Sequence, residues 1–222
     1  MVIVLALFTI AAFLIADYVL QQRRRARTEP GWAAPMPCGT FLARGHTWLR
    51  PDKDGALRLG AARLPLDALG AVDEVQLLPS GTSVTEGEPI AVLVCGARRL
   101  RLVSPADGVI ERVNEALERK PWRLPAQPFG AAWLYTLRTP ELARTLRRAF
   151  VAEEAERFLR RETARLRETL CRAVDLPHAE PVLGDGGVPL PGFAARLDEA
   201  QWSRVSRVMF EAPPPASEVA RG

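Results

Sequence analysis

The sequence predicts a mostly β domain with helices. One transmembrane helix precedes the domain, and a long C-terminal helix and a tail follow it. Three observations carry this reading. Val2 to Ala16 is apolar except for Thr9. Between Thr40 and Leu137, short apolar runs alternate with Gly, Pro and Asp turns. From Thr139 onward, apolar residues recur at helical spacing to about Val174.

The first segment, 1–22, is read as a retained single-pass anchor. About nineteen residues at ~1.5 Å rise span roughly 28 Å, near the thickness of a bilayer's hydrocarbon core. No basic residue precedes the apolar run, so it lacks the basic start of a cleaved signal peptide. Arg23, Arg24, Arg25 and Arg27 follow it and are expected at the membrane surface, against anionic lipid. The positive-inside rule then puts the N-terminus outside and the folded domain at the cytoplasmic face of the cell membrane. The formal charge of +4 is concentrated in this cluster, which has no interleaved aromatic residues. The expected partners are therefore membrane lipid and a cytoplasmic or membrane protein, not nucleic acid. Residues 23–39 form a basic juxtamembrane segment and a Pro-rich linker.

Residues 40–155 are assigned to the β domain. Trp48–Arg50 and Ala56–Gly60 flank a Pro51–Gly55 turn, and Val72–Leu77 is a further strand. Ile90–Val94 is continuously apolar and reads as buried. Arg99–Val103 alternates charged and apolar residues, so one face is wet. Val109–Val113 and Trp133–Leu137 complete the set. Thr139 and Pro140 are placed as N-cap and first residue of a helix of about 35 residues, of which 156–175 form an extension. Glu153–Arg157, Glu156–Arg160 and Glu168–Arg172 are spaced as i,i+4 pairs. The far half of this helix is expected to pack on another chain or on the tail. In the tail, 176–222, Asp198–Gln201 has capping-box spacing and opens a short helix near 198–210. That helix is expected to dock on its own domain or in a partner groove, and Ala212 onward to be disordered.

Several motifs in the β domain occur together in one known family. They are Gly45-His46-Thr47-Trp48, Gly60 to Gly70, Leu78-Pro79-Ser80-Gly81 and Ser104-Pro105-Ala106-Asp107-Gly108. Val113-Asn114-Glu115-Ala116-Leu117 with Pro121, and Gly130 to Leu137, complete the set. In order and spacing they resemble the glycine cleavage system H protein, within the biotinyl/lipoyl-domain families. The resemblance implies a lipoyl-like, barrel-sandwich hybrid domain. It also implies lipoate carried on a hairpin-tip lysine, seven residues before the serine of Ser-Pro-x-x-Gly.

Counting back from Ser104 reaches Ala97. The chain has only two lysines, Lys53 and Lys120, against twenty-eight arginines. Arginine cannot replace lysine here, because lipoylation needs a free amine and a guanidinium stays protonated. No lipoate and no other cofactor is therefore expected. Lys53 reads as a solvated turn lysine and Lys120 as a helix-end charge. Cys95, Arg98 and Arg99 are the candidate tip or partner contacts. Cys95 has two readings: a thiol activated by the arginines, or a small buried hydrophobe. His46 reads as a fold residue. Cys38, Cys95 and Cys171 are scattered, and His46 and His178 lie far apart, so neither a disulfide framework nor a metal site is expected. No catalytic constellation is apparent, so the chain is read as a binding protein rather than an enzyme.

Three functions compete. The first is a membrane-tethered, non-lipoylated H-like protein serving as a binding or structural subunit. The second is a lipoyl carrier of glycine cleavage, passing on an aminomethyl group. The third is a periplasmic adaptor-type lipoyl-like protein.

Overall fold

The computed structural model describes residues 36–174, 182–184 and 187–211. The expected transmembrane segment, the Arg23–Arg27 cluster and the tail beyond 211 lie outside the described residues. Among the described residues, no helix is long and apolar enough to cross a membrane.

Two sheets face one core. The larger contains β1 (Phe41–Leu42), β2 (Thr47–Pro51), β3 (Leu57–Ala61), β5 (Ser83–Val84), β8 (Gly108–Val113) and β9 (Tyr135–Arg138), in the order β1-β2-β3-β9-β8-β5. The smaller contains β4 (Glu74–Leu77), β6 (Pro89–Cys95) and β7 (Arg98–Val103), in the order β4-β6-β7. Every pairing is antiparallel. The apolar run of β6 takes the central place in the small sheet, where Ile90, Ala91, Leu93 and Val94 are all buried. In β7 the alternation holds: Leu100 and Leu102 are buried, while Arg99 and Arg101 are exposed.

Tyr135 fastens the two sheets together. Its hydroxyl donates to the Ile90 carbonyl and accepts from the Leu78 N–H, each at 2.7 Å. Burial raises its pKa further above the usual phenol value. Gly60 faces Trp48 across β2 and β3, and a Cβ there would run into the indole. The indole N–H in turn donates to the Pro128 carbonyl at 2.8 Å.

Three short helices, α1 (Arg63–Leu69), α2 (Ala116–Arg119) and α3 (Arg123–Ala126), connect the strands. The single long helix expected from Thr139 is instead two: α4 (Leu142–Arg148) and α5 (Ala152–Ala173). Neither Thr139 nor Pro140 starts it; Thr139 lies two residues ahead of the Glu141 N-cap and accepts from its N–H. The break at Ala149–Val151 has a clear cause. Phe150 leaves the helix and exchanges two backbone hydrogen bonds with Leu42, at 2.8 and 2.9 Å, covering the edge of β1. Its ring stacks on Phe158 at 4.4 Å, which fixes the direction in which α5 restarts.

Glu156–Arg160 and Glu168–Arg172 form ion pairs. Glu153 and Arg157, both described, do not. The far half of α5 packs on the tail: Leu166 and Leu170 share a core cluster with Trp202, Val205, Met209 and Phe210. The described part of the tail contains a 3-10 turn (Phe193–Arg196), α6 (Glu199–Ser206) and a π turn (Arg207–Glu211). The capping box at Asp198 forms in both directions, at 2.7 and 2.9 Å.

Candidate functional site: the β6–β7 hairpin and its cover

The hairpin is built from its last strand pair, Cys95 opposite Arg98, and a two-residue turn of Gly96 and Ala97. Gly96 has φ +55°, so the left-handed residue comes first, where such turns favour glycine. The Asp73 carboxylate accepts from the Gly96 N–H at 2.7 Å and holds the turn against the start of β4. Ala97 stands exposed at the tip with a methyl group as its side chain. Lys53 sits in the β2–β3 turn and Lys120 at the end of α2, neither of them on this hairpin.

The three expected tip contacts behave differently. Arg98 is only partly exposed, and its guanidinium donates to two carbonyls of the chain's own tail. One is Ala194, at 3.1 Å, and the other is Leu197. Arg99 keeps an exposed side chain, but its carbonyl accepts from the Trp202 indole N–H at 2.9 Å. Cys95 is partly buried. Burial, and after it the Asp73 carboxylate, push its thiol above the ordinary value. Of the two readings of Cys95, the arginine-activated thiol gains no support here: Arg98 is turned to the tail, and the charge acting on the sulfur is the negative one of Asp73. The thiol stays protonated at neutral pH and is a poor nucleophile.

The tail reaches the hairpin through one close crossing. The Gly192 N–H donates to the Asp67 carbonyl at 2.7 Å, and a Cβ on Gly70 would sit 2.7 Å from the Gly192 Cα. Both glycines have positive φ, which favours glycine at each, and at Gly70 the space excludes a side chain as well. From this crossing the chain lays Phe193 beside α1 and Trp202 against β7, the two rings edge to face and 6.3 Å apart. Arg101 pairs with Glu211 at 3.4 Å further along the strand.

A second polar pair joins the domain to α5. His46 is fully buried, with its Nε2 3.2 Å from the Glu162 carboxylate, which is 4 % exposed. Phe158 and Phe210 flank the imidazole at 5.8 and 5.5 Å. His46 thus acts as a fold residue, as read from the sequence. Glu162 was missed there. Its signal was its place four residues from both Phe158 and Leu166, inside the apolar stripe of α5.

Asp73 was also missed, since nothing in its strand context marks it as the support of the turn. Among the described residues, no group of three His, Cys, Asp or Glu side chains is arranged to hold a metal ion.

Comparison with known proteins agrees with the motif order. A family model described as glycine cleavage H-protein matches residues 41–162. The glycine cleavage system H protein of Thermus thermophilus is 32 % identical over 107 residues, covering 48 % of this chain and 83 % of that protein. Glycine cleavage system H protein 1 of Pseudomonas aeruginosa is 37 % identical over 93 residues, covering 42 % and 72 %. A crystal structure of a glycine cleavage system H protein from Mycobacterium marinum is 30 % identical, with a TM-score of 0.44, covering 47 % of this chain and 87 % of that one. With more than half of its length matched by the family model, the chain belongs to the glycine cleavage H-protein family.

Proposed function

We propose that this H-like protein is a non-lipoylated, membrane-tethered binding or structural subunit at the cytoplasmic membrane face. It holds a protein partner rather than carrying a reacting group, and it is not itself an enzyme. One observation carries the reading: the two-residue tip of the β6–β7 hairpin is Gly96-Ala97, with no amine to acylate. Two further features support it. The tail's carbonyls hold Arg98, so one side of the hairpin is committed to the chain's own extension. The apolar run before Arg23 is long enough to anchor the domain.

The experiment is labelling of Cys38, which is exposed, in the native host. A membrane-impermeant maleimide should label it in the membrane fraction only after lysis, and a reproducible protein should co-purify from the same extract. Labelling in intact cells would place the domain on the other face. Recovery in the supernatant would remove the tether.

A further inference from the structure

We infer that a cleft remote from the hairpin tip binds a phosphate-bearing ligand with at least two negative charges. The cleft, of about 1020 Å³, lies where β1 and β2, the break between α4 and α5, and the loops around Gly87 and Ser104 meet. That is the size of a small-molecule site, ~300–1,000 Å³ in typical proteins. Six arginines line it: Arg44, Arg147, Arg148, Arg157, Arg160 and Arg161. Only two carboxylates, Glu86 and Glu154, line it with them. Guanidinium groups cannot shed their charge, so the excess persists at every physiological pH. A concave wall concentrates its field.

The arginines are not used up by the fold. Arg147, Arg157 and Arg161 make no ion pair with any described residue. Arg157 has Glu153 at i−4, the spacing for a helical pair, yet the two do not pair and Arg157 lines the cleft. Arg148 pairs with Glu86 at 3.1 Å and Arg160 with Glu156 at 3.7 Å. All four side chains are more than half exposed, and exposed pairs of this kind are weak enough to be exchanged for a ligand. Arg44 is partly buried and held over the Phe150 ring at 5.9 Å, so its position is set in advance.

The chemistry selects the ligand. Several planar, forked donors converging on one space match phosphate oxygens, which accept paired N–H bonds. The wall also contains Leu49, Val103, Pro105 and Phe150. A ligand with an apolar portion beside its phosphate therefore gains further contact. A soluble organic phosphate and an anionic phospholipid headgroup share this chemistry. The inference does not depend on the modification state of the hairpin.

The test is calorimetric titration of the full-length protein in neutral detergent. Inorganic pyrophosphate and, separately, dihexanoyl phosphatidic acid serve as probes. The expected result is saturable one-site binding that weakens with added salt. It should weaken at least tenfold in the R147Q/R157Q/R161Q variant. It should be unchanged in R119Q/R204Q/R207Q, which removes the same charge from exposed positions elsewhere. Tighter binding of the lipid probe identifies a headgroup, and equal or tighter binding of pyrophosphate identifies a soluble phosphate. If the triple variant melts early, R157Q and R161Q singly, each expected to weaken binding severalfold, take its place. Absence of saturable binding by both probes, or equal losses in the cleft and control variants, would overturn the inference.

Discussion

His46 and Glu162 form a buried pair that joins the β domain to the first half of its C-terminal extension, Nε2 to Oε2 at 3.2 Å. Arg165 adds a longer contact to the same carboxylate, at 3.5 Å. Removing one member of a buried pair leaves the other without its partner, which costs more than the pair itself contributes. Glu162→Ala should therefore destabilise the protein by about 3 kcal/mol, read as a lower urea midpoint. Glu162→Gln keeps the size and polarity of the side chain beside His46 and should cost clearly less. Equal midpoints for both variants and the parent would show that the pair is energetically idle.

The Gly70–Gly192 crossing should be intolerant of any side chain. Gly70→Ala adds a methyl 2.7 Å from the Gly192 Cα, at a residue with φ +78°. The tail should then lift from α1 and β7. Limited proteolysis would report this as early cleavage between 187 and 211, with the β core still intact. Trp202→Ala should produce the same pattern through loss of a buried indole, a change of about 3–5 kcal/mol in typical cores. Unchanged cleavage in both variants would contradict the docked tail.

Cys95 should react slowly. Its thiol is raised by burial and by Asp73, so the thiolate fraction is small at neutral pH. With Cys38 replaced by serine, alkylation of Cys95 should rise only at pH values above the ordinary thiol range, about 8.5. Asp73→Asn should shift that profile toward lower pH. Fast alkylation of Cys95 at pH 7 would restore the reactive-thiol reading.

Asp52 gives a pH dependence of definite sign. The Lys53 N–H chiefly holds its carboxyl below the usual carboxylate value; burial opposes it next in size, and Arg58 and Arg112 each add a smaller lowering effect, so the net direction is down. A lowered carboxyl pKa stabilises the fold above its unfolded value, about 4. That stabilisation fades as pH falls through the lower folded value. Asp52→Asn should therefore melt below the parent near neutral pH, and the gap should close on acidification. A gap that widens in acid would reverse the assignment.

The β domain was legible because its strands obey local rules. The alternation in β7, the apolar run of β6 and the Pro and Gly turns each survive in the structure. The absent lysine was legible on a different ground: the family resemblance places it seven residues before Ser104, and counting back reaches Ala97. The break at Phe150 was not legible. Leu142, Leu146 and Phe150 continue a helical stripe, and only the edge of β1, more than a hundred residues earlier, draws Phe150 out of it. The tail's grip on Arg98 was hidden likewise, since it uses backbone carbonyls that carry no side-chain signature. Gly70 belonged to a recognised motif. Its close approach to Gly192 becomes apparent only when both are placed in space.

The central claim is that Ala97 leaves the hairpin without a lipoyl group. The most direct measurement is the intact mass of the protein purified from its native host, beside an Ala97→Lys variant expressed in the same cells. The account predicts that the native protein has the mass of its unmodified chain, with or without the initiating methionine. A lipoyl increment on the native protein, mapped to Lys53, Lys120 or any other residue, would contradict it.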